Sequence, residues 1–208
     1  MAKLLLSLIL LLAAHPAAAR TETAIVAGGC FWCVESNFES LPGVKEVVSG
    51  YTGGTASSAT YDQVSTGSTG HYEAVKIFFD PARVSYRKIL DLFFRSSDPL
   101  DAGGQFCDRG KSYRTAIFVQ SAAQRADAVA AKADAEAALG RKVATEIRDA
   151  GPFFEAEAYH QGYYKGSKVV LTRRGPMRQA NAYAFYRKAC GRDARVKELW
   201  GSQSAFVH

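Results

Sequence analysis

The sequence predicts a two-layer α+β domain, and three observations carry that reading. Short β-branched or alternating runs and helix-period runs are both spread along the whole chain. They mix without strict alternation, which argues against a doubly wound parallel sheet. No internal repeat or low-complexity linker interrupts residues 20–208, so these read as one domain: a body over 20–172 and a helical extension of it over 173–208.

The elements follow in order. Residues 23–27 form a strand-like run that Gly28-Gly29 breaks. Phe31, Val34, Phe38 and Leu41 then recur at helical spacing until Leu41-Pro42-Gly43 stops the helix. Residues 44–48 read as the next strand. Residues 50–70, rich in Gly, Ser and Thr, predict a long loop, and loops of that length inside a compact domain are usually functional. Residues 71–79 alternate as a strand turned by Asp80-Pro81, and Ser85 caps a helix carrying Leu90 and Phe94. A second polar loop covers 97–112, and 113–119 reads as strand. Ser121 with Gln124 makes a capping box for an Ala-rich helix that closes at Gly140. Residues 143–147 predict another strand. Pro176 opens a helix over 176–189, ended near Gly191, and Val196, Leu199 and Trp200 mark a last segment docked on the body.

Composition narrows the function classes. Of 208 residues, 48% are hydrophobic and 12% aromatic, which excludes collagen-like and wholly disordered chains. The net charge of +6 comes from scattered basic residues, so it reads as a solvated surface and predicts no nucleic-acid partner. Four cysteines are too few for a disulfide scaffold but enough for redox chemistry. They lack the matched spacing of a zinc site, and no metal is expected.

Lys3, an apolar run over 4–14, His15-Pro16 and Ala17-Ala18-Ala19 follow the order of a secretory signal, with cleavage expected after Ala19. The run is shorter than the roughly 20 residues that span a bilayer. The expectation is therefore an exported, periplasmic protein with no stable membrane association after cleavage. Its thiols would meet an oxidising compartment and need imported reducing power.

Gly28-Gly29-Cys30-Phe31-Trp32-Cys33 is the most informative stretch. The glycines allow a sharp turn, and Cys30 falls at a helix N-terminus, where free amides and the helix dipole favour a thiolate. Phe31 and Trp32 could grip a sulfur-containing group through sulfur–aromatic contacts. A buried structural cysteine with two core aromatics is the plainer alternative, and Cys30-x-x-Cys33 also has thioredoxin-like spacing.

Beyond this stretch the chain resembles the A-type peptide-methionine sulfoxide reductase family. The resemblance rests on Gly29-Cys30-Phe31-Trp32 and continues through Gly50-Tyr51-Thr52-Gly53-Gly54, Thr60-Tyr61, Thr69-Gly70-His71-Tyr72-Glu73, Asp80-Pro81, Asp98-Pro99, Asp108-Arg109-Gly110, Tyr113-Arg114 and Glu155-Ala156-Glu157-x-Tyr159-His160-Gln161. It covers about residues 24 to 165 in order. It implies a mixed sheet with helices, a ferredoxin-like core with long active-site loops. It implies a substrate of methionine-S-sulfoxide, free or within oxidised proteins and peptides, a thioredoxin-like reductant, and no metal or organic cofactor.

Glu73 can be read without the family. It shares strand parity with Val75, Ile77 and Phe79, so its carboxyl points to the apolar face, where burial raises its pKa as suits a general acid. A strand-end glutamate fraying into solvent is the alternative. By resemblance Glu73 protonates the sulfoxide oxygen, Tyr61 and Tyr113 hold that oxygen, and Asp108 lies near the thiol. Alone, each tyrosine would read as packing and Asp108 as a turn residue. The chemistry implied is attack by Cys30 on the protonated sulfoxide, a Cys30 sulfenic acid, then a disulfide with a resolving cysteine.

Two departures bear on that last step. Cys33 stands where family members commonly carry glycine, and the tail over 173–208 holds only Cys190 and is not Gly-rich. Cys190, Cys33 and Cys107 are all candidates for the resolving thiol. The rival function is an exported thiol–disulfide oxidoreductase using Cys30 and Cys33.

Overall fold

The opening strand–helix–strand unit forms where the sequence places it. β1 is Glu22–Gly28, α1 is Phe31–Glu39, and β2 is Val44–Thr52. The structure, a computed structural model, describes residues 20–207; the expected leader over 1–19 lies outside them. β2 runs on through Gly50, Tyr51 and Thr52, which the sequence assigns to a loop. These residues pair with the strand Tyr72–Phe79 on one side and the strand Phe153–Glu155 on the other, so ladder hydrogen bonds override weak strand propensity at Gly50.

The loop that follows holds a helical turn over Ala56–Ser58 and the short α2, Tyr61–Val64. β3 is Tyr72–Phe79 and α3 is Tyr86–Phe94, where the Ser85 side chain accepts from Lys88 N–H as an N-cap. The second polar loop contains a small hairpin, β4 (Gly104–Gln105) with β5 (Asp108–Arg109). Tyr113 ends a helical turn, Lys111–Tyr113, so the next strand, β6, spans Thr115–Val119. α4 is Ala122–Leu139, capped by Ser121 at the start and by left-handed Gly140 at the end. β7 is Glu146–Asp149, three residues later than expected, because Val143 N–H bonds Glu136 and Ala144 N–H bonds Pro99. β8 is Phe153–Glu155.

The helix expected over 176–189 begins later. Residues 169–178 form a hairpin, β9 (Val169–Thr172) with β10 (Gly175–Arg178), and Pro176 lies opposite Leu171 in it. A two-stranded ribbon is all edge and tolerates a proline. α5 then covers Gln179–Ala189 and α6 Arg192–Trp200. The expected boundary after residue 172 falls in the turn of this hairpin.

The six-stranded sheet has the order β7-β6-β1-β3-β2-β8. Only β6 and β7 are parallel, and α4 makes the crossover such a pair requires. The four central strands, β6-β1-β3-β2, are antiparallel and enclose a βαββαβ chain path, as a ferredoxin-like core demands. Val26, Val75, Ile77, Phe79 and Ile117 face α1, α3 and α4 and build the main core. The opposite face is thin: Ile25, Tyr72 and Phe118, with Arg114 and Arg148 lying over the Tyr72 ring. Thus the fold is mixed α+β, two layers deep.

Candidate active site

Gly29, at φ +81°, makes the turn from β1 into α1, and a Cβ there would stand 2.5 Å from the Gln105 Cβ. Cys30 follows as the N-cap residue of α1 and is half-buried. Gln105 is wholly buried, accepts from Asp98 N–H at 2.9 Å and donates to the Asp98 and Gly104 carbonyls. This holds the β4–β5 hairpin, and with it Asp108, against the start of α1.

Glu73 projects from β3 on the same face as Val75, Ile77 and Phe79 and is 2% exposed. Its Oε2 accepts the Phe31 N–H at 3.1 Å, and its carboxyl also takes a hydrogen bond from Tyr113. Burial outweighs those donors and lifts Glu73 from the ordinary 4.5 to about 8, so the carboxyl is protonated at neutral pH. Tyr61, Tyr113 and Asp108 all lie within electrostatic reach of Glu73, and burial raises each of them as well. The structure therefore brings Cys30, Glu73, Tyr61, Tyr113 and Asp108 to one locus.

The thiols correct one expectation. The place of Cys30 at a helix N-terminus predicts a thiol lowered toward the thiolate. Instead its thiol is raised: it hydrogen-bonds to Cys33, it is buried, and Glu73 and Asp108 stand beside it. The first amide of α1, on Phe31, is committed to the Glu73 carboxyl and not to sulfur. Cys33 moves the other way, down to about 6, through the hydrogen bond from Cys30 and the positive charges of Arg192 and Arg187. The two thiols thus titrate as a coupled pair, with the positive charges of Arg192 and Arg187 favouring the anion on Cys33.

The resolving candidates separate cleanly. Cys107 and Cys190 are joined to each other as a disulfide, while Cys30 and Cys33 are free thiols. That bond ties the exposed tip of the β4–β5 hairpin to the end of α5. Cys33, in the first turn of α1, is the other free thiol beside Cys30.

An aromatic wall borders the thiols. Phe31 is 1% exposed and packs on Tyr51 and His160, at the inner side of this wall. Trp32 is half-buried and stacks on Tyr163 at 3.8 Å and 7°. His160 is buried among Phe31, Trp32, Tyr61 and Tyr159, and neither ring nitrogen has a hydrogen-bond partner among the described residues. Burial lowers it to about 4, leaving a neutral ring at physiological pH.

Two acidic residues without a role in the sequence reading hold this wall in place. Glu157 accepts from Tyr51 Oη and from Tyr61 N–H, both at 2.9 Å. Glu35 accepts from Gly162 N–H at 2.7 Å and from Ser49 Oγ at 3.0 Å. Arg187 and Arg192 went unnoticed, because nothing in a linear sequence signals that an extension will fold back onto the first helix.

Comparison with known proteins supplies the chemistry. Residues 22–198 match the family model described as peptide methionine sulfoxide reductase. The chain is 46% identical over 187 residues to the peptide methionine sulfoxide reductase MsrA 2 of Rhizobium meliloti, covering 90% of this chain and 87% of that protein. It is 47% identical over 188 residues to MsrA 2 of Caulobacter vibrioides, covering 89% and 88%. Among solved structures it resembles Saccharomyces cerevisiae Mxr1 in its reduced form, with a TM-score of 0.68 and 29% identity over 71% of this chain and 86% of that one. It also resembles methionine sulfoxide reductase A of Corynebacterium diphtheriae, with a TM-score of 0.61 and 29% identity over 70% and 74% of the two chains.

Proposed function

The chain belongs to the peptide methionine sulfoxide reductase family, of the MsrA kind, and from that premise we propose that Cys30 reduces methionine sulfoxide with Cys33 as its resolving partner. The reaction is the thiol-dependent reduction of methionine sulfoxide, an oxidoreductase chemistry. The observation that carries the residue assignments is the placing of the two free thiols, Cys30 and Cys33, at the first turn of α1 beside the buried Glu73 carboxyl, which accepts the intervening Phe31 N–H.

Cys33, as the anion, draws the proton from Cys30 when substrate arrives. Glu73 hydrogen-bonds the sulfoxide oxygen and gives it a proton, while Tyr61 and Tyr113 donate to the same oxygen. Cys30 thiolate attacks the sulfoxide sulfur, methionine leaves, and the oxygen remains on Cys30 as a sulfenic acid. Trp32 presents its face to the methyl group, and Phe31 backs Trp32 from the core. Cys33 then attacks Cys30 sulfur, forming a disulfide and releasing water. A thioredoxin-like dithiol restores both thiols. The walled site is chiral and takes the S epimer, free or within oxidised proteins.

The Cys30-x-x-Cys33 spacing alone would also suit thiol–disulfide exchange, but exchange has no use for a protonated carboxyl and two tyrosines around the attacking sulfur. The test supplies dithiothreitol and a peptide carrying methionine-S-sulfoxide. Methionine should form with wild-type protein and not with Cys30→Ser. Reduction of a disulfide substrate without any methionine would select the rival. We read residues 1–19 as a leader for export to the periplasm; an exported chain that begins at Arg20 supports this, and a retained leader overturns it.

A further inference from the structure

We infer that Arg187 and Arg192, carried by the C-terminal helices α5 and α6, are positioning residues of the redox centre, supplying the positive field in which Cys33 attacks the Cys30 sulfenic acid. This deepens the reading above and rests on it.

The geometry begins on α1. Cys33 and Asn37 are four residues apart and share one helical face. Arg187 donates from Nη1 to Asn37 Oδ1 at 3.0 Å and to Tyr183 Oη at 3.0 Å, which sets its guanidinium one turn from Cys33. Its Nε and Nη2 reach Asp193, and Nη2 also reaches the Phe206 carbonyl. Arg192 approaches from the other side. Its Nη2 donates to the Gly28 carbonyl at 2.9 Å, two residues before Cys30, and Nη1 donates to the Ser96 carbonyl at 3.0 Å. Its guanidinium lies over the Phe106 ring at 4.4 Å.

Both side chains are more than nine-tenths buried. Arg187 is paired with Asp193, whereas Arg192 is buried on neutral carbonyls, which is costly unless an anion lies near. The groups facing Cys33 are Cys30 at the helix start, Glu73 from β3, Asp108 from β5, Tyr183 and Arg187 from α5, and Arg192 from α6. Glu73 is protonated, and Asp108 raises Cys33. The two arginines are the groups that favour its anion from outside the thiol pair. Cys33 took the Cys30 proton in the first step and must lose it again before it attacks; with Cys30 a sulfenic acid, the arginines are what remains to favour the Cys33 anion. The Cys107–Cys190 disulfide holds the end of α5, one residue before the turn into α6, and so fixes both arginines against α1.

The step balances without an outside reagent. A sulfur–sulfur bond forms between Cys33 and Cys30, and the sulfur–oxygen bond of the sulfenic acid breaks. Cys33 gives up the proton it took from Cys30, hydroxide leaves with that proton as water, and Cys33 sulfur is oxidised as Cys30 sulfur is reduced.

The test is a single turnover on the full chain without reductant, with Arg192→Met, Arg192→Lys and Arg187→Met beside wild type. Methionine released and Cys30–Cys33 disulfide formed are timed separately from pH 5 to 9, and dimedone traps any lingering sulfenic acid. In Arg192→Met the pH midpoint of the disulfide step should rise by one unit or more, the step should slow by about 10-fold on the limb below the wild-type midpoint, and dimedone adduct should accumulate. Arg192→Lys, which keeps the charge, should restore the midpoint. Arg187→Met should move it the same way by less, and it carries the test if Arg192→Met does not fold. An unmoved midpoint in the charge-deleted variants overturns the inference, as does a loss confined to methionine release. Absence of methionine from wild-type protein would instead overturn the proposed function.

Discussion

Replacing Glu73 with glutamine should weaken the enzyme and strengthen the fold together. In the folded chain Glu73 is held up at about 8, against an ordinary 4.5. Between those values the folded protein keeps a proton that the unfolded chain has released. The sign follows from linkage: stability is full below about 4.5 and falls as pH rises toward 8. At pH 7 the loss amounts to about 3 kcal/mol, at roughly 1.4 kcal/mol per pH unit. Glutamine removes the ionisation, and its amide oxygen can still accept the Phe31 N–H. Glu73→Gln should therefore gain up to about 3 kcal/mol at pH 7, or roughly 6–12 °C in melting temperature for a chain of this size. The same change deletes the transferable proton, and loss of a general acid costs about 10²–10⁴-fold in rate. The assay pairs thermal melts at pH 5, 7 and 8 with dithiothreitol-driven methionine formation across the same range. Wild-type activity should fall as pH climbs through 8, and the residual activity of the variant should lack that limb. A variant with more than a tenth of wild-type activity would refute the acid role. One no more stable than wild type at pH 8 would refute the burial argument.

Further outcomes follow from other parts of the site. His160→Phe removes two buried nitrogens that make no hydrogen bond among the described residues, so stability should hold or rise by about 1 kcal/mol, with activity within a few-fold; a hundred-fold loss would show that a ring nitrogen takes part. The His160 ring should titrate near 4 in a proton NMR series, and a midpoint above 6 would contradict its burial. Cys107→Ser with Cys190→Ser opens a link between residues 83 apart and should cost roughly 4 kcal/mol by calorimetry; its first turnover should still yield one methionine per chain, and loss of that yield would put the pair in the reductive step. Gly29→Ala places a methyl against Gln105 at a positive φ and should cost about 2 kcal/mol or more, read as a lowered urea midpoint; an unchanged midpoint would mean the turn relaxes freely.

What could be read from the linear chain was whatever depends on near neighbours. Strand parity with Val75, Ile77 and Phe79 predicted a buried Glu73 carboxyl, and the structure has it 2% exposed. Gly28-Gly29 predicted a turn delivering Cys30 to a helix start, and Cys30 is the N-cap of α1. The charge of that thiol was not legible, because Asp108 and Glu73 reach it from distant elements and the Phe31 amide is drawn away to Glu73. Nor was the Cys107–Cys190 bond, since connectivity among cysteines depends on the fold and not on spacing. The hairpin over 169–178 was hidden because Pro176 reads equally well as a helix start. β8, three residues long, offers too short a pattern to detect.

The account turns on which sulfurs change during one catalytic event. Reduced protein given one equivalent of methionine-S-sulfoxide peptide, with no donor present, should be digested under acid and its cysteine peptides mapped by mass spectrometry while released methionine is counted. One methionine per chain, a new Cys30–Cys33 link and an intact Cys107–Cys190 link are the predicted result. Cys30 joined to Cys190 or Cys107, or methionine formed with Cys30 still a thiol, would contradict it.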